Sequence, residues 1–147
     1  MFPKVSVIAA VLAMTVSIAY GHVTVQPKQS TAGATQKYAL RVPTEKFVPT
    51  VRVEVEFPAD LVVSSFEPKP GWRLEQKKDP SGRLLAVTLT GSIPPGESLA
   101  FDFTARNPAE PGKLAFKAIQ IYEDGTKVEW TGAEGSRTPA PVVELAR

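Results

Sequence analysis

An all-β sandwich of about eight or nine short strands is the fold this sequence predicts, and three observations predict it. Apolar and polar residues alternate with period two in segment after segment. Turn chemistry recurs at regular intervals between those segments. Beyond residue 21, no window of ten or more residues shows convincing helical periodicity, and the 14 prolines of the chain disfavour helices further.

Val23 and Val25 alternate with Thr24 and Gln26 in a first short strand, stopped by Pro27. Ser30-Thr31-Ala32-Gly33 reads as a turn, and a second strand covers about residues 36–42, ending at Pro43. The cleanest alternation follows. In Val51-Arg52-Val53-Glu54-Val55-Glu56-Phe57 the valines and Phe57 share one face and Arg52, Glu54 and Glu56 the other, before Pro58 ends the run.

Residues 61–66 are apolar enough for another strand, and Lys69-Pro70-Gly71 turns the chain so that Trp72 and Leu74 fall on one face of the next. Asp79-Pro80-Ser81-Gly82 has hairpin chemistry and leads into an alternating strand at 84–89. Ile93-Pro94-Pro95-Gly96-Glu97 then interrupts before Leu99, Phe101 and Phe103 resume period two, and 107–112 form a loop. A strand at 113–122 puts Leu114, Phe116, Ala118 and Gln120 on one parity. Glu123-Asp124-Gly125-Thr126 has the Asp-Gly signature of a tight hairpin returning through 127–130, and a last strand is expected at 142–145.

Residues 1–21 have a different character. Lys4 precedes an apolar run at 5–19 free of acidic residues, the layout of a secretory signal peptide. Ala19 and Gly21 place small side chains three and one positions before His22, so cleavage is expected between Gly21 and His22. The expected organisation is a signal peptide at 1–21 and one β-sandwich domain at 22–147, periplasmic or secreted. The leader run is too short for a comfortable membrane span and no second one follows, so no stable membrane anchor is expected after cleavage.

Composition narrows the function classes. The 17 basic residues less Lys4 leave 16 against 15 acidic ones, without the basic stripe that a nucleic-acid binder needs. Cysteine is absent and both methionines, Met1 and Met14, lie in the leader, so thiolate and thioether ligands for Cu(I) are missing from the expected mature chain. A hydrolytic triad would lack its histidine, because His22 is the single histidine of the sequence and begins the mature chain.

That position gives His22 a different chemistry. A free α-amine and the imidazole Nδ1 of one residue can close a six-membered chelate ring around a metal. In the precursor the same nitrogen is an amide, its lone pair delocalised into a carbonyl, so cleavage creates the site. The amine titrates at roughly 7.7 to 8.0 when unperturbed, so a metal displaces its proton at modest cost near neutrality. An amine, an imidazole and a carboxylate make an N,O set suited to tetragonal Cu(II).

Eight motifs, in order and spacing, resemble the YcnI-like copper-binding domain family: His22-Val23-Thr24-Val25-Gln26-Pro27, Tyr38-Ala39-Leu40-Arg41-Val42-Pro43-Thr44-Glu45, Val53-Glu54-Val55-Glu56-Phe57-Pro58, Lys69-Pro70-Gly71-Trp72, Ile93-Pro94-Pro95-Gly96-Glu97, Phe116-Lys117-Ala118-Ile119-Gln120, Trp130-Thr131-Gly132 and Pro139-Ala140-Pro141-Val142-Val143. The resemblance covers nearly the whole expected mature chain. It implies an immunoglobulin-like or cupredoxin-like sandwich holding one Cu(II) in a monohistidine brace. By motif the histidine is His22, the carboxylate is Glu54, and the tryptophan beside the metal is Trp130. Glu56 on the same face as Glu54, and Trp72 as the other tryptophan, remain alternatives.

The expected function is that of an exported Cu(II) carrier or metallochaperone, without enzymatic activity, exchanging copper with other periplasmic or membrane copper-handling proteins. Two other functions compete with it. One is an immunoglobulin-like adhesion or assembly domain without metal. The other is a copper monooxygenase, against which stands the second histidine that such a brace uses and this sequence lacks.

Overall fold

The computed structural model describes residues 21–147, so the expected signal peptide, apart from Gly21, lies outside the described residues. These residues form twelve strands and no helix, hence no helix long and apolar enough to cross a membrane. The strands are β1 (Thr24–Gln26), β2 (Gln29–Thr31), β3 (Thr35–Pro43), β4 (Thr50–Glu56), β5 (Val62–Phe66), β6 (Arg73–Lys78), β7 (Leu84–Ile93), β8 (Ser98–Arg106), β9 (Gly112–Ala115), β10 (Lys117–Tyr122), β11 (Lys127–Trp130) and β12 (Val142–Ala146).

Nine of them make one curled sheet in the order β1-β3-β8-β5-β7-β4-β10-β11, with β6 flanking β7. Its two halves are joined through the single pairing of Val63 with Leu84 between β5 and β7. One half, β1-β3-β8-β5, therefore folds over the other, β7-β4-β10-β11, as the layers of a sandwich, and the two end strands β1 and β11 come to the same margin. A smaller sheet, β2-β12-β9, closes one end.

The predicted alternation is what fills the space between the layers. Tyr38, Leu40 and Val42 from β3, Val53 and Val55 from β4, Val87 and Leu89 from β7, and Phe101 and Phe103 from β8 are all buried. Phe57, Phe66, Phe103 and Phe116 form an aromatic cluster, with Phe66 and Phe103 stacked at 5.8 Å between ring centroids. Such pairs add about 0.5–1.5 kcal/mol each beyond the area they bury.

The hairpins form where turn chemistry places them. Asp79 links β6 to β7 by accepting the Ser81 N–H at 2.9 Å and donating its own to Arg83 O at 2.9 Å. At the β10–β11 turn, Gly125 takes φ 83°, a left-handed conformation that costs glycine no Cβ clash.

Two expectations change. The expected turn at 30–33 narrows to 32–33, because Gln29–Thr31 pairs parallel with β12, a partner more than a hundred residues away that no local signal reveals. The single expected strand at 113–122 is two strands in different sheets. β9 pairs with β12 and β10 with β4, and between them the Phe116 N–H donates to Pro141 O at 2.9 Å. Alternation runs unbroken through Leu114, Phe116 and Ala118, all buried, so periodicity carries no trace of the change of sheet.

Candidate metal centre

His22 lies just ahead of β1, whose register sets Thr24 opposite Arg41 and Val25 opposite Leu40 on β3. Val23 and Val25 fill the core, and His22 beside them is half-buried. The layer that folds over from the far end of the sheet brings Trp130, the last residue of β11. Imidazole and indole centroids lie 5.4 Å apart with their planes inclined at 50°.

Trp130 is 7% exposed, and its Nε1–H donates to Gln120 Oε1 at 3.0 Å. The other tryptophan sits elsewhere. Trp72 packs edge-on against Phe101 at 5.0 Å between centroids and lies over Gly91.

A carboxylate reaches this margin, and it is Glu45. The Gly21 N–H donates to Glu45 Oε1. The approach is close enough that a Cβ built on Gly21 would lie 3.0 Å from that oxygen and 2.5 Å from Pro43 Cγ. Only glycine fits there without displacing its neighbours. Glu45 is held at this point by the end of β3, where Thr44 N–H donates to Glu97 O at 2.8 Å and Thr44 O accepts Gly96 N–H at 2.9 Å.

Glu54 is not brought to the same place. Register pairs Trp130 with Ala118 and Ala118 with Val55, which puts all three on the inner face. It pairs Glu54 with Ile119 and Ile119 with Glu129, which puts those on the outer face. Glu54 also stands two strands in from β11, about 10 Å from Glu129 at the usual strand spacing. Its carboxylate is taken by Arg52, whose Nε and an Nη2 both donate to Oε1 at 3.0 Å. Glu56 shares that outer face. The expectation was Glu54 at His22; parity places Glu54 on the outer face of β4, while Trp130 is on the inner one.

Among the described residues no three His, Cys, Asp or Glu side chains converge on a metal-sized space. The arrangement is one imidazole, one carboxylate beside the backbone nitrogens of 21–22, and an indole wall. The neutral amide nitrogen of an uncut chain, its lone pair delocalised into the carbonyl, is a poor donor to a cation held there.

Fold and site together define an immunoglobulin-like sandwich whose amino-terminal strand presents a histidine at the meeting edge of its two layers. The chain belongs to the YcnI-like family, described as Domain of unknown function (DUF1775), which matches residues 22–145 and so starts at His22.

Among curated relatives, the chain is 37% identical over 129 residues to the copper-binding protein CutI of Bacillus subtilis (strain 168), covering 86% of this chain and 63% of that protein. It therefore spans less than two thirds of that relative's length. Among solved structures it is similar to an uncharacterized protein from Nocardia farcinica with an immunoglobulin-like fold, at TM-score 0.72 and 30% identity, over 86% of this chain and 99% of that one. A cohesin module from a family 33 glycoside hydrolase of Clostridium perfringens matches at TM-score 0.53 and 12% identity, over 85% and 94% of the two chains, a likeness of fold alone.

Proposed function

We propose that this is an exported Cu(II)-binding protein that carries copper between other copper-handling proteins, and that its site forms when the leader is removed before His22. The observation that carries the reading is the convergence of His22, Glu45 and Trp130 at one margin of the sandwich. The 37% identity to a protein named for copper binding supports it, and so does a family match that begins at His22.

Cleavage turns the nitrogen of His22 from an amide into an amine. His22 then offers two nitrogen donors, and the Glu45 carboxylate, already at that backbone, offers an oxygen and cancels one of the two metal charges. Copper tops the affinity series for such ligands. Trp130 walls the imidazole on one side and limits access from there. Few protein ligands on an open margin suit handover, because an incoming ligand can replace solvent before the old bonds break.

An enzyme of the oxidative copper type would complete its brace with a second histidine, and His22 is the only one in the sequence. Intact mass and amino-terminal sequencing of the exported protein, followed by Cu(II) titration under tryptophan emission, test the reading. The expected results are a chain starting at His22, one Cu(II) per chain, and quenching of emission by the paramagnetic ion near Trp130. Unquenched emission from protein that does start at His22 would reject copper and favour an adhesion or assembly role.

A further inference from the structure

We infer that Gln120 is the positioning residue of this centre: its buried amide sets the indole of Trp130 against His22. The inference rests on the copper reading above and adds to it a residue that touches neither His22 nor the metal.

Gln120 is fully buried, at 0% exposure, on the inner face of β10. Its Nε2 donates to Pro43 O at 2.8 Å and to Thr50 Oγ1 at 2.8 Å, while its Oε1 accepts the indole Nε1–H of Trp130 at 3.0 Å. Chemistry fixes which end of the amide is which. An indole nitrogen only donates and a proline carbonyl only accepts, so the amide nitrogen must face Pro43 and its oxygen Trp130.

The far end is equally determined. Thr44 Oγ1 donates to Ile93 O at 3.0 Å, so in the Thr44–Thr50 contact of 2.7 Å Thr50 is the donor. Thr50 is then left to accept from Gln120. Donors run one way from Trp130 through Gln120, Thr50 and Thr44 to Ile93, linking β11, β10, β4, the end of β3 and β7.

No other side chain can stand in the middle of that series. Glutamate lacks the two donors, asparagine is one methylene short of spanning Pro43 and the indole together, and an apolar residue takes away the partner of the Trp130 indole N–H and of Pro43 O, leaving Thr50 only its bond to Thr44. The indole, pinned by its nitrogen, has one orientation to present at 5.4 Å from the imidazole. Loosened, it can rotate and leave His22 without its wall.

The test uses the mature chain and two readouts. In metal-free protein, NMR follows hydrogen exchange at the Trp130 indole N–H; with copper(II) chloride, chelator competition gives the affinity. In Gln120→Met, indole exchange should rise at least about tenfold and Cu(II) affinity fall about tenfold, the range seen when a group that orients a metal ligand is lost. In a Trp130→Phe background the same substitution should change affinity by less than about twofold, because the residue through which Gln120 acts is gone.

If Gln120→Met does not fold, Gln120→Asn keeps an amide in place and should show the same direction. Unchanged indole exchange in a folded variant overturns the inference, as does an affinity loss that persists undiminished in Trp130→Phe. If wild-type protein starting at His22 binds no Cu(II), the copper reading falls and the role of Gln120 at a metal centre falls with it. Failure of the inference alone would show as normal wild-type binding with unaltered indole exchange.

Discussion

The imidazole of His22 and the indole of Trp130 meet at 5.4 Å, although 108 positions separate them and they belong to opposite ends of one curled sheet. The contact exists because the two halves of that sheet fold over one another and leave β1 and β11 at a shared margin. A site built there is assembled by the whole fold, and it depends on a residue two positions ahead of β1.

His22→Ala removes the imidazole and leaves only an amine and a carboxylate. Copper affinity should fall by about a hundredfold or more, beyond the 10–100-fold typical of losing a supporting group. Quenching of tryptophan emission at stoichiometric Cu(II) should vanish. The metal-free fold should lose about 0.5–1.5 kcal/mol, the scale of one aromatic contact. Titration and thermal unfolding on the same sample separate the two effects.

Glu45 and Glu54 make opposite predictions from the same substitution. Glu45→Gln deletes the charge beside residues 21–22 and should weaken Cu(II) binding about tenfold or more, on the same footing. Glu54→Gln breaks only an exposed pair with Arg52 on the outer face, worth about 0–1 kcal/mol, and should leave copper affinity unchanged. Isothermal titration of both variants decides between them, and loss of binding in Glu54→Gln alone would return the carboxylate to the Val-Glu-Val strand.

The contrast shows what was legible in the sequence. Period two in 51–57 announces a strand and its two faces, and those faces already place Glu54 with Arg52 and away from the valines. What alternation cannot convey is which acid reaches His22, because Glu45 stands outside any regular strand, just past Pro43. Its neighbourhood is set by pairing of β1 with β3, a contact between segments rather than within one. Gln120 was visible only as a polar residue on an apolar parity. That is a sign of a buried hydrogen-bonding role, but its partners at Pro43, Thr50 and Trp130 come from three other segments.

Asn107, at the start of an expected loop, holds the opposite end of the sandwich together. It is 3% exposed; its Oδ1 accepts the Tyr38 hydroxyl at 2.5 Å, and its Nδ2 donates to Thr31 O at 2.8 Å and Ser30 Oγ at 2.9 Å. Asn107→Leu strands the Tyr38 hydroxyl in the interior, while Thr31 O keeps the Ala34 N–H at 3.2 Å. An unpaired buried group costs about 1–3 kcal/mol, so a loss of that size is expected in urea unfolding. Copper binding by the folded fraction should be unaffected, since Tyr38, to which Asn107 is bonded, lies five residues from Pro43 along β3.

Alkaline pH should unfold the protein through its buried phenols. Burial pushes the Tyr38 phenol above its usual value, against weaker opposing hydrogen bonds from Ser30 and Asn107. Tyr122 is raised by burial first and by the charge of Glu45 second. A phenol whose folded value lies above its unfolded value, near 10, keeps its proton in the fold at a pH where the unfolded chain has lost it. The folded state then binds more protons, so stability falls as pH rises. The stabilisation is fully present below about pH 10 and is lost as pH climbs through the folded values. Lys37, raised chiefly by its hydrogen bond to Glu67, acts in the same direction, but that pair is exposed. In about 1 M salt, where the screening length is about 3 Å, its share fades and the phenolic share persists. Urea midpoints measured across the alkaline range in high salt should decline, and the decline should be shallower in Tyr38→Phe. An unchanged slope in that variant would mean that the Tyr38 phenol titrates alike in the folded and unfolded chains.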